Sequence, residues 1–270
     1  MSERVRRIDL VRSTLSSLHL QALLTPERMQ GPGFLYALLP VLRRLYPDRD
    51  ALAQAMVRHL AYVATHPVLA GFAVGAAARL EERRAAGDPV SDDDIQGLKR
   101  SLASPLAALG DPLFWLTLRP LAGLVGVLTM FAMQAPMLAD WDLRVLACPL
   151  LTLLTYNAVA LPFRIAGVAR GYADADQPAA LVRSLRLKEW RGALERAGAV
   201  AFGALIALTF LLLDFSSVGW GADLARRVSA LAPLLLGATI GFVGLSLRPG
   251  RVVEVALLAL GASAALAAVL

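Results

Sequence analysis

The sequence predicts an all-α, polytopic membrane protein, and three observations lead to this fold class. The 270-residue chain is 57% hydrophobic with a mean hydropathy of +0.59, which is too apolar for an ordinary soluble domain of this length. Its basic residues cluster in two parts of the chain. Five long apolar segments, each near the roughly 20 residues of a membrane-spanning helix, follow residue 112. They are 113–138, 145–163, 197–213, 228–247 and 252–270.

The basic residues predict an orientation. Of 27 Lys and Arg residues, 14 lie in 1–112 and seven in 164–196. Since cytoplasmic loops carry an excess of Lys and Arg, both regions are expected on the cytoplasmic side, with the N-terminus. About three to five apolar segments would then cross the membrane. The net charge of +6 does not indicate nucleic-acid binding, because aromatic content is only 7% and no basic face is interleaved with aromatics.

We expect two regions within one domain. Residues 1–112 would form an amphipathic and re-entrant helical region, and 113–270 a transmembrane helical region. The first helix is predicted over 3–24, where apolar residues recur at helical spacing. It would either lie in the membrane interface or pack on its own domain. Its apolar positions are Val5, Ile8, Leu15, Leu18 and Ala22. Further helices are predicted over 34–45 and from about residue 50.

The next apolar run, 68–80, contains Gly71 and Gly75 on one helix face, which allows close packing. At about 13 residues it is too short to span ~30 Å of hydrocarbon, so a re-entrant or core helix is expected. Glu81 and Glu82 follow it and are interpreted as a helix end in water.

A helix start is predicted at Ser91, since Asp94 follows three residues later as in a capping box. The adjacent acids do not have the alternating spacing of a calcium loop.

The stretch 105–123 combines an apolar segment with an acid, Asp111, and a base, Arg119. Pro112 and Pro120 beside them predict a broken helix, because each lacks a backbone N–H. Broken helices at membrane depth are tolerated where they face protein or a cavity. The two charges either line a functional path or pair structurally with one another. Asn157, within a later apolar run, needs a hydrogen-bond partner.

The sequence contains no phosphate-binding glycine loop, nucleophile–base pair or zinc-ligand spacing, so neither a cofactor nor a metal is expected. Its single cysteine, Cys148, excludes a disulfide within the chain. The three histidines, His19, His59 and His66, are interpreted as structural residues on local pattern alone.

Several stretches in the first 175 residues resemble the IID component of the mannose-type sugar phosphotransferase system. The matching motifs, in chain order, are Arg12-Ser13, Leu20-Gln21, Glu27-Arg28-Met29-Gln30, Gly33-Phe34, Pro40, Leu45-Tyr46, Arg58-His59, Thr65-His66-Pro67, Gly75 through Leu80-Glu81-Glu82, Pro105-Leu106-Ala107, Gly110-Asp111-Pro112-Leu113-Phe114-Trp115, Leu118-Arg119-Pro120, Tyr156-Asn157, Arg164 and Gly171-Tyr172.

The resemblance implies a non-catalytic translocation subunit in the inner (plasma) membrane. It would pair with a IIC membrane subunit and, together with it, move a hexose or amino sugar inward. IIA and IIB cytoplasmic phosphocarrier proteins would supply phosphoryl transfer, and IIC–IID pairs would associate as homo-oligomers. The substrate-binding residues implied are Thr65, His66, Asp111, Arg119 and Asn157.

The sequence also departs from the family pattern. Val63-Ala64 replaces Phe-Asn before Thr-His-Pro, Ala103-Ser104 replaces Met-Gly, and Leu24-Thr25 replaces Trp-Asn. The missing Asn removes a polar group expected near the sugar. A divergent IID-like scaffold or regulatory protein without sugar transport is therefore the alternative.

Overall fold

The computed structural model describes residues 4–132 and 143–212, and within these ranges the chain is helical, without a β-sheet. The all-α prediction is confirmed. The elements are α1 (Arg7–Ser17), a short 3₁₀ helix (Leu20–Leu23), α2 (Gly31–Leu45), α3 (Arg49–His59), α4 (Ala70–Ala85), α5 (Asp92–Gly110), a π-helical segment (Asp111–Leu118), α6 (Arg119–Ala132), α7 (Leu143–Ala173), α8 (Pro178–Ser184) and α9 (Leu187–Leu212).

Two compact units divide the chain. The first contains Met1–Phe114 and Asn157–Lys188, and the second contains Trp115–Tyr156 and Glu189–Leu270. The predicted segments 228–247 and 252–270 lie outside the described residues, as do positions 133–138 of the segment 113–138.

Helix α2 is the centre of the first unit and contacts α1, α3 and α4. Its apolar residues recur at helical spacing and are buried, among them Phe34, Leu38 and Leu42. Helices α3 and α5 both begin with side-chain caps. Asp48 accepts hydrogen bonds from the backbone of α3. The predicted capping box at the start of α5 is also confirmed.

Helix α1 faces its unit with its polar side. Asp9, Ser13 and Ser17 are buried, whereas Ile8 is 50% exposed and Leu15 58% exposed. The helix thus packs on its own domain against α2, which is one of the two predicted alternatives, but it does so through its polar side. Small polar side chains allow a close approach to α2, and this leaves the apolar stripe on the outer surface.

Helices α4 and α7 cross at glycines, as the spacing of Gly71 and Gly75 predicted. A Cβ atom on Gly71 would lie 3.3 Å from the Val168 backbone nitrogen, and one on Gly75 would lie 2.6 Å from the Tyr172 nitrogen. From the other side, a Cβ on Gly171 would meet the backbone of α4. The crossing is thus a backbone-to-backbone contact that only glycine permits.

The prolines near residue 111 do not interrupt the helix, so the predicted break is wrong. Helix α5 continues through the π-helical segment, which contains Pro112, into α6, which contains Pro120. A π-helical turn widens the backbone and reassigns the hydrogen bonds that a proline removes, which keeps the helix continuous.

Two described helices are long and apolar enough to cross a membrane, Asp92–Met130 and Leu146–Ala173. Each has a window of mean hydropathy 1.6. Leucines at positions 146, 150, 153 and 154 are more than half exposed on the second helix. Such an apolar outer surface is expected where the surrounding solvent is lipid.

Candidate functional site

The loop that contains Thr65 is fixed by a buried glutamine at the start of α2. The Gln30 side chain donates to the Thr65 carbonyl oxygen at 2.7 Å, and its Oε1 accepts from the Thr65 backbone nitrogen at 3.1 Å. Both residues are buried. This paired amide contact replaces the regular hydrogen bonds that a loop lacks, so the residues beside Thr65 have a defined position.

His66 lies against the end of α5. Its ring stacks on Phe114 with 4.7 Å between ring centroids, and Phe114 in turn meets Phe163 edge-on at 5.8 Å. A Cβ atom on Gly110 would lie 2.6 Å from the His66 Cβ, so this glycine permits the approach. Burial, and secondarily the positive charge of Arg164, lower the pKa of His66 to about 4. His66 is therefore neutral at physiological pH.

Asp111 follows directly after Gly110 and is exposed. It lines a cavity of about 800 Å³ between α5 and the loop before α4. This volume is within the 300–1,000 Å³ typical of small-molecule sites. The other lining residues are Ala61, Tyr62, Val63, Ala64, Gln96, Lys99, Arg100, Ala103, Ser104, Ala107 and Ala108.

The five predicted substrate residues are only partly brought together. Thr65, His66 and Asp111 belong to the first unit, and the contact of His66 with Gly110 brings the loop next to Asp111. Arg119 belongs to the second unit, where its guanidinium lies 5.4 Å from the ring centroid of Trp115. Asn157 is exposed on α7. Their role in substrate binding remains a prediction.

A buried polar cluster near the end of α4 was missed from the sequence. Glu81 has no exposed side-chain surface, and its carboxylate accepts from Arg58 Nε at 2.7 Å, from Tyr46 Oη at 2.6 Å and from His59 Nε2 at 2.8 Å. Burial alone would raise the pKa of Glu81, but the hydrogen bonds from His59, Arg58 and Tyr46 outweigh it and lower this pKa to about 2. The carboxylate is therefore ionised inside the protein.

Glu82 makes a second, separate set of contacts. Its carboxylate accepts from the Val5 backbone nitrogen at 2.8 Å, from Arg79 at 2.7 Å and from the Tyr172 hydroxyl. These bonds join the N-terminus, α4 and α7. The interpretation of Glu81 and Glu82 as a helix end in water is thus wrong, because apolar patterning cannot reveal a carboxylate buried by paired cations.

The sequence did contain a signal for the cluster. Leu45-Tyr46, Arg58-His59 and Leu80-Glu81-Glu82 are all motifs on which the family resemblance rests. Among the described residues, no group of three His, Cys, Asp or Glu side chains is placed to hold a metal ion.

A protein-family model, described as "PTS system mannose/fructose/sorbose family IID component", matches residues 4–248 of the sequence. The chain belongs to this IID component family. It is 41% identical over 147 residues to the mannose-specific EIID component of Escherichia coli K12, covering 54% of this chain and 48% of that protein. It is 35% identical over 170 residues to the sorbose-specific EIID component of Klebsiella pneumoniae, covering 63% and 58%. The chain thus spans about half the length of the curated relatives it matches.

A solved structure is also similar to this chain. The cryo-EM complex of the mannose transporter ManYZ with microcin E492 includes a chain that is 27% identical, with a TM-score of 0.57 and coverage of 97% of this IID chain and 96% of that chain. This similarity confirms an all-α membrane protein of the IID family.

Two departures from the family pattern lie in one place. Val63 and Ala64 line the cavity from the loop, and Ala103 and Ser104 line it from α5. Positions that are distant in sequence therefore change the same cavity. The resemblance leads us to expect an asparagine amide at position 64, where this chain has the methyl group of Ala64.

Proposed function

We propose that this IID chain is a membrane subunit of a mannose-type phosphotransferase permease. With a IIC partner it would bind a hexose or amino sugar and translocate it for phosphorylation by a IIB protein that receives phosphate from IIA. This proposal rests mainly on the family match over residues 4–248. The loop–α5 cavity supports a ligand site, since Asp111 lines it and the neighbouring His66 packs beside it.

The proposed topology has a multi-pass chain in the inner membrane, a cytoplasmic N-terminus and association of IIC–IID pairs. Residues 1–112 form the amphipathic and re-entrant region, and 113–270 the transmembrane region. The exposed apolar stripe of α1 is suited to the cytoplasmic membrane surface. A Ser2→Cys variant in a Cys148→Ser background tests the orientation: a membrane-impermeant thiol reagent should label it in inverted vesicles and not in intact cells.

Sugar uptake tests the function. The chain is expressed with its IIC, IIA and IIB partners in a strain without mannose-type transport, and uptake of labelled mannose, fructose and sorbose is measured. We expect uptake of at least one sugar and co-purification with IIC. Normal membrane expression and IIC binding without uptake of any sugar would instead support the scaffold alternative, which the altered Val63-Ala64 pair favours.

The site assignment is tested in the same strain. Asp111→Asn should lower uptake about tenfold or more at normal expression, because a hydrogen bond to a charged group contributes about 1.5–3 kcal/mol. Arg119→Ala should also impair uptake more than expression. Asp174→Asn, at an exposed acid of the first unit, is the control. Uptake equal to the control for both Asp111→Asn and Arg119→Ala would refute the assignment.

A further inference from the structure

Lys99 is a buried cation on α5. Only 2% of the residue is exposed, and its Nζ lies 4.7 Å from the ring centroid of Phe34. Within the part of the chain that the structure describes, this Nζ makes no hydrogen bond. A cation–π contact offsets part of the lost hydration, but an ammonium group still has three N–H donors that require acceptors. Burying a charged group without a counter-charge or hydrogen-bond acceptors is energetically costly. A further group that pairs with the Lys99 ammonium is therefore expected.

The buried acid that interacts electrostatically with Lys99 is already occupied by other donors. Glu81 accepts from Arg58, His59 and Tyr46. Burial lowers the pKa of His59, which keeps that imidazole neutral. The Arg58 and Glu81 charges therefore balance one another, and Lys99 adds one positive charge that this cluster does not neutralise.

Lys99 also lines the loop–α5 cavity described above, with Gln96 and Arg100 close to it in sequence. The acid among the lining residues is Asp111, twelve residues further along the helix. At 1.5 Å per residue, this separates the two positions by roughly 18 Å. The cavity consequently has a basic end, near Lys99, and an acidic end.

We propose that the basic end of this cavity binds an anionic oxygen group, a phosphate or a carboxylate, of a small molecule or a lipid headgroup. The oxygens of such a group accept from the Lys99 ammonium, while its charge balances the excess positive charge. Lysine binds phosphate as a point charge, with donors that rotate to suit the ligand. This site is additional to the proposed sugar transport and does not depend on it, since neither a hexose nor an amino sugar has the anionic group that this site would bind.

The test uses the fact that the sequence has two lysines, Lys99 and the exposed Lys188. The melting temperatures of the wild-type chain, Lys99→Met and Lys188→Met are measured in neutral detergent, with inorganic phosphate titrated against chloride at constant ionic strength. We expect wild type and Lys188→Met to gain on the order of 5–10 °C at 100 times the dissociation constant. Lys99→Met should lose this gain but remain folded, because methionine fills a similar volume without a charge.

A second measurement on the wild-type chain tests the proposal even if the Lys99→Met variant fails to fold. In the wild-type chain, mass spectrometry gives the ratio of acylation at Lys99 to that at Lys188, and saturating phosphate should lower this ratio several-fold. If vesicles of phosphatidylglycerol protect Lys99 from acylation when vesicles of phosphatidylcholine and inorganic phosphate do not, that result would identify an anionic lipid headgroup as the ligand.

Three results would overturn the proposal. The first is an equal phosphate-dependent shift in melting temperature for wild type and Lys99→Met. The second is an acylation ratio that none of the anionic probes changes. The third is protection of Lys99 by a neutral hexose but not by phosphate or phosphatidylglycerol, which would assign the ammonium to sugar hydroxyls. Loss of sugar uptake in Lys99→Met with phosphate binding abolished would leave the anion site supported and connect it to transport.

Discussion

Replacing Glu81 by glutamine tests whether the buried cluster stabilises the first unit. Glutamine has nearly the same shape, but it lacks the charge that balances Arg58, whose side chain is only 7% exposed. Removing one partner of a buried ion pair typically costs about 3–5 kcal/mol, because the other charge stays buried without compensation. For a chain of this size, that loss lowers the melting temperature by roughly 6–20 °C. Thermal unfolding in neutral detergent, followed by tryptophan fluorescence, measures it.

The control for this prediction is Asp88→Asn. Asp88 pairs with Arg83 at 3.0 Å, but both side chains are more than 40% exposed, so its loss should cost less than about 1 kcal/mol. A double variant with both Arg58→Gln and Glu81→Gln should be less destabilised than the sum of its single variants, because it leaves no lone charge. If Glu81→Gln melts at the same temperature as Asp88→Asn, the cluster does not stabilise the fold and this reasoning is refuted.

Two further predictions concern packing and pH. Gly75→Ala should destabilise the chain by more than about 2 kcal/mol, because the added Cβ would meet the Val168 backbone. The control is Gly97→Ala, which has open space around it and should be neutral or stabilise α5. Equal melting temperatures of the two variants would contradict the close crossing of α4 and α7. Because the pKa of His66 is lowered from 6.5 to about 4, the unfolded state binds more protons in this window, and stability should fall as the pH drops from 6.5 to 4. Unfolding measured against pH should show a smaller fall in His66→Gln than in His19→Gln, at an exposed position, and identical profiles would refute the assignment.

The parts of the fold that follow from local chemistry were predictable from the sequence. The capping box at Ser91 and Asp94 depends on two side chains and the backbone next to them, so their spacing is sufficient evidence. The close packing at Gly71 and Gly75 also follows from spacing, because residues four apart share a helix face. What this pattern could not supply was the partner, α7, which lies about 95 residues further along the chain.

Other features depend on tertiary contacts that periodicity does not record. The apolar residues of α1 suggested a face for the core, but Ser13 and Ser17 form the buried side. A proline predicts a missing hydrogen bond, yet whether the helix breaks or widens depends on the surrounding backbone. Likewise, Glu81 at the polar end of an apolar helix is indistinguishable from a solvated residue until Arg58 and Tyr46 are placed around it.

The motifs of the candidate site were predictable from the sequence, but which of them lie next to one another in the fold was not. Thr65-His66 and Gly110-Asp111 were singled out separately, and the structure brings His66 against Gly110. Contacts from Gln30 to the loop and from Phe114 to the His66 ring hold this arrangement. The altered residues at 63–64 and 103–104 line the cavity instead. Substitutions of that kind change which ligand groups find a partner while leaving the packing of the loop on α5 intact, so a IID fold can persist while its ligand preference changes.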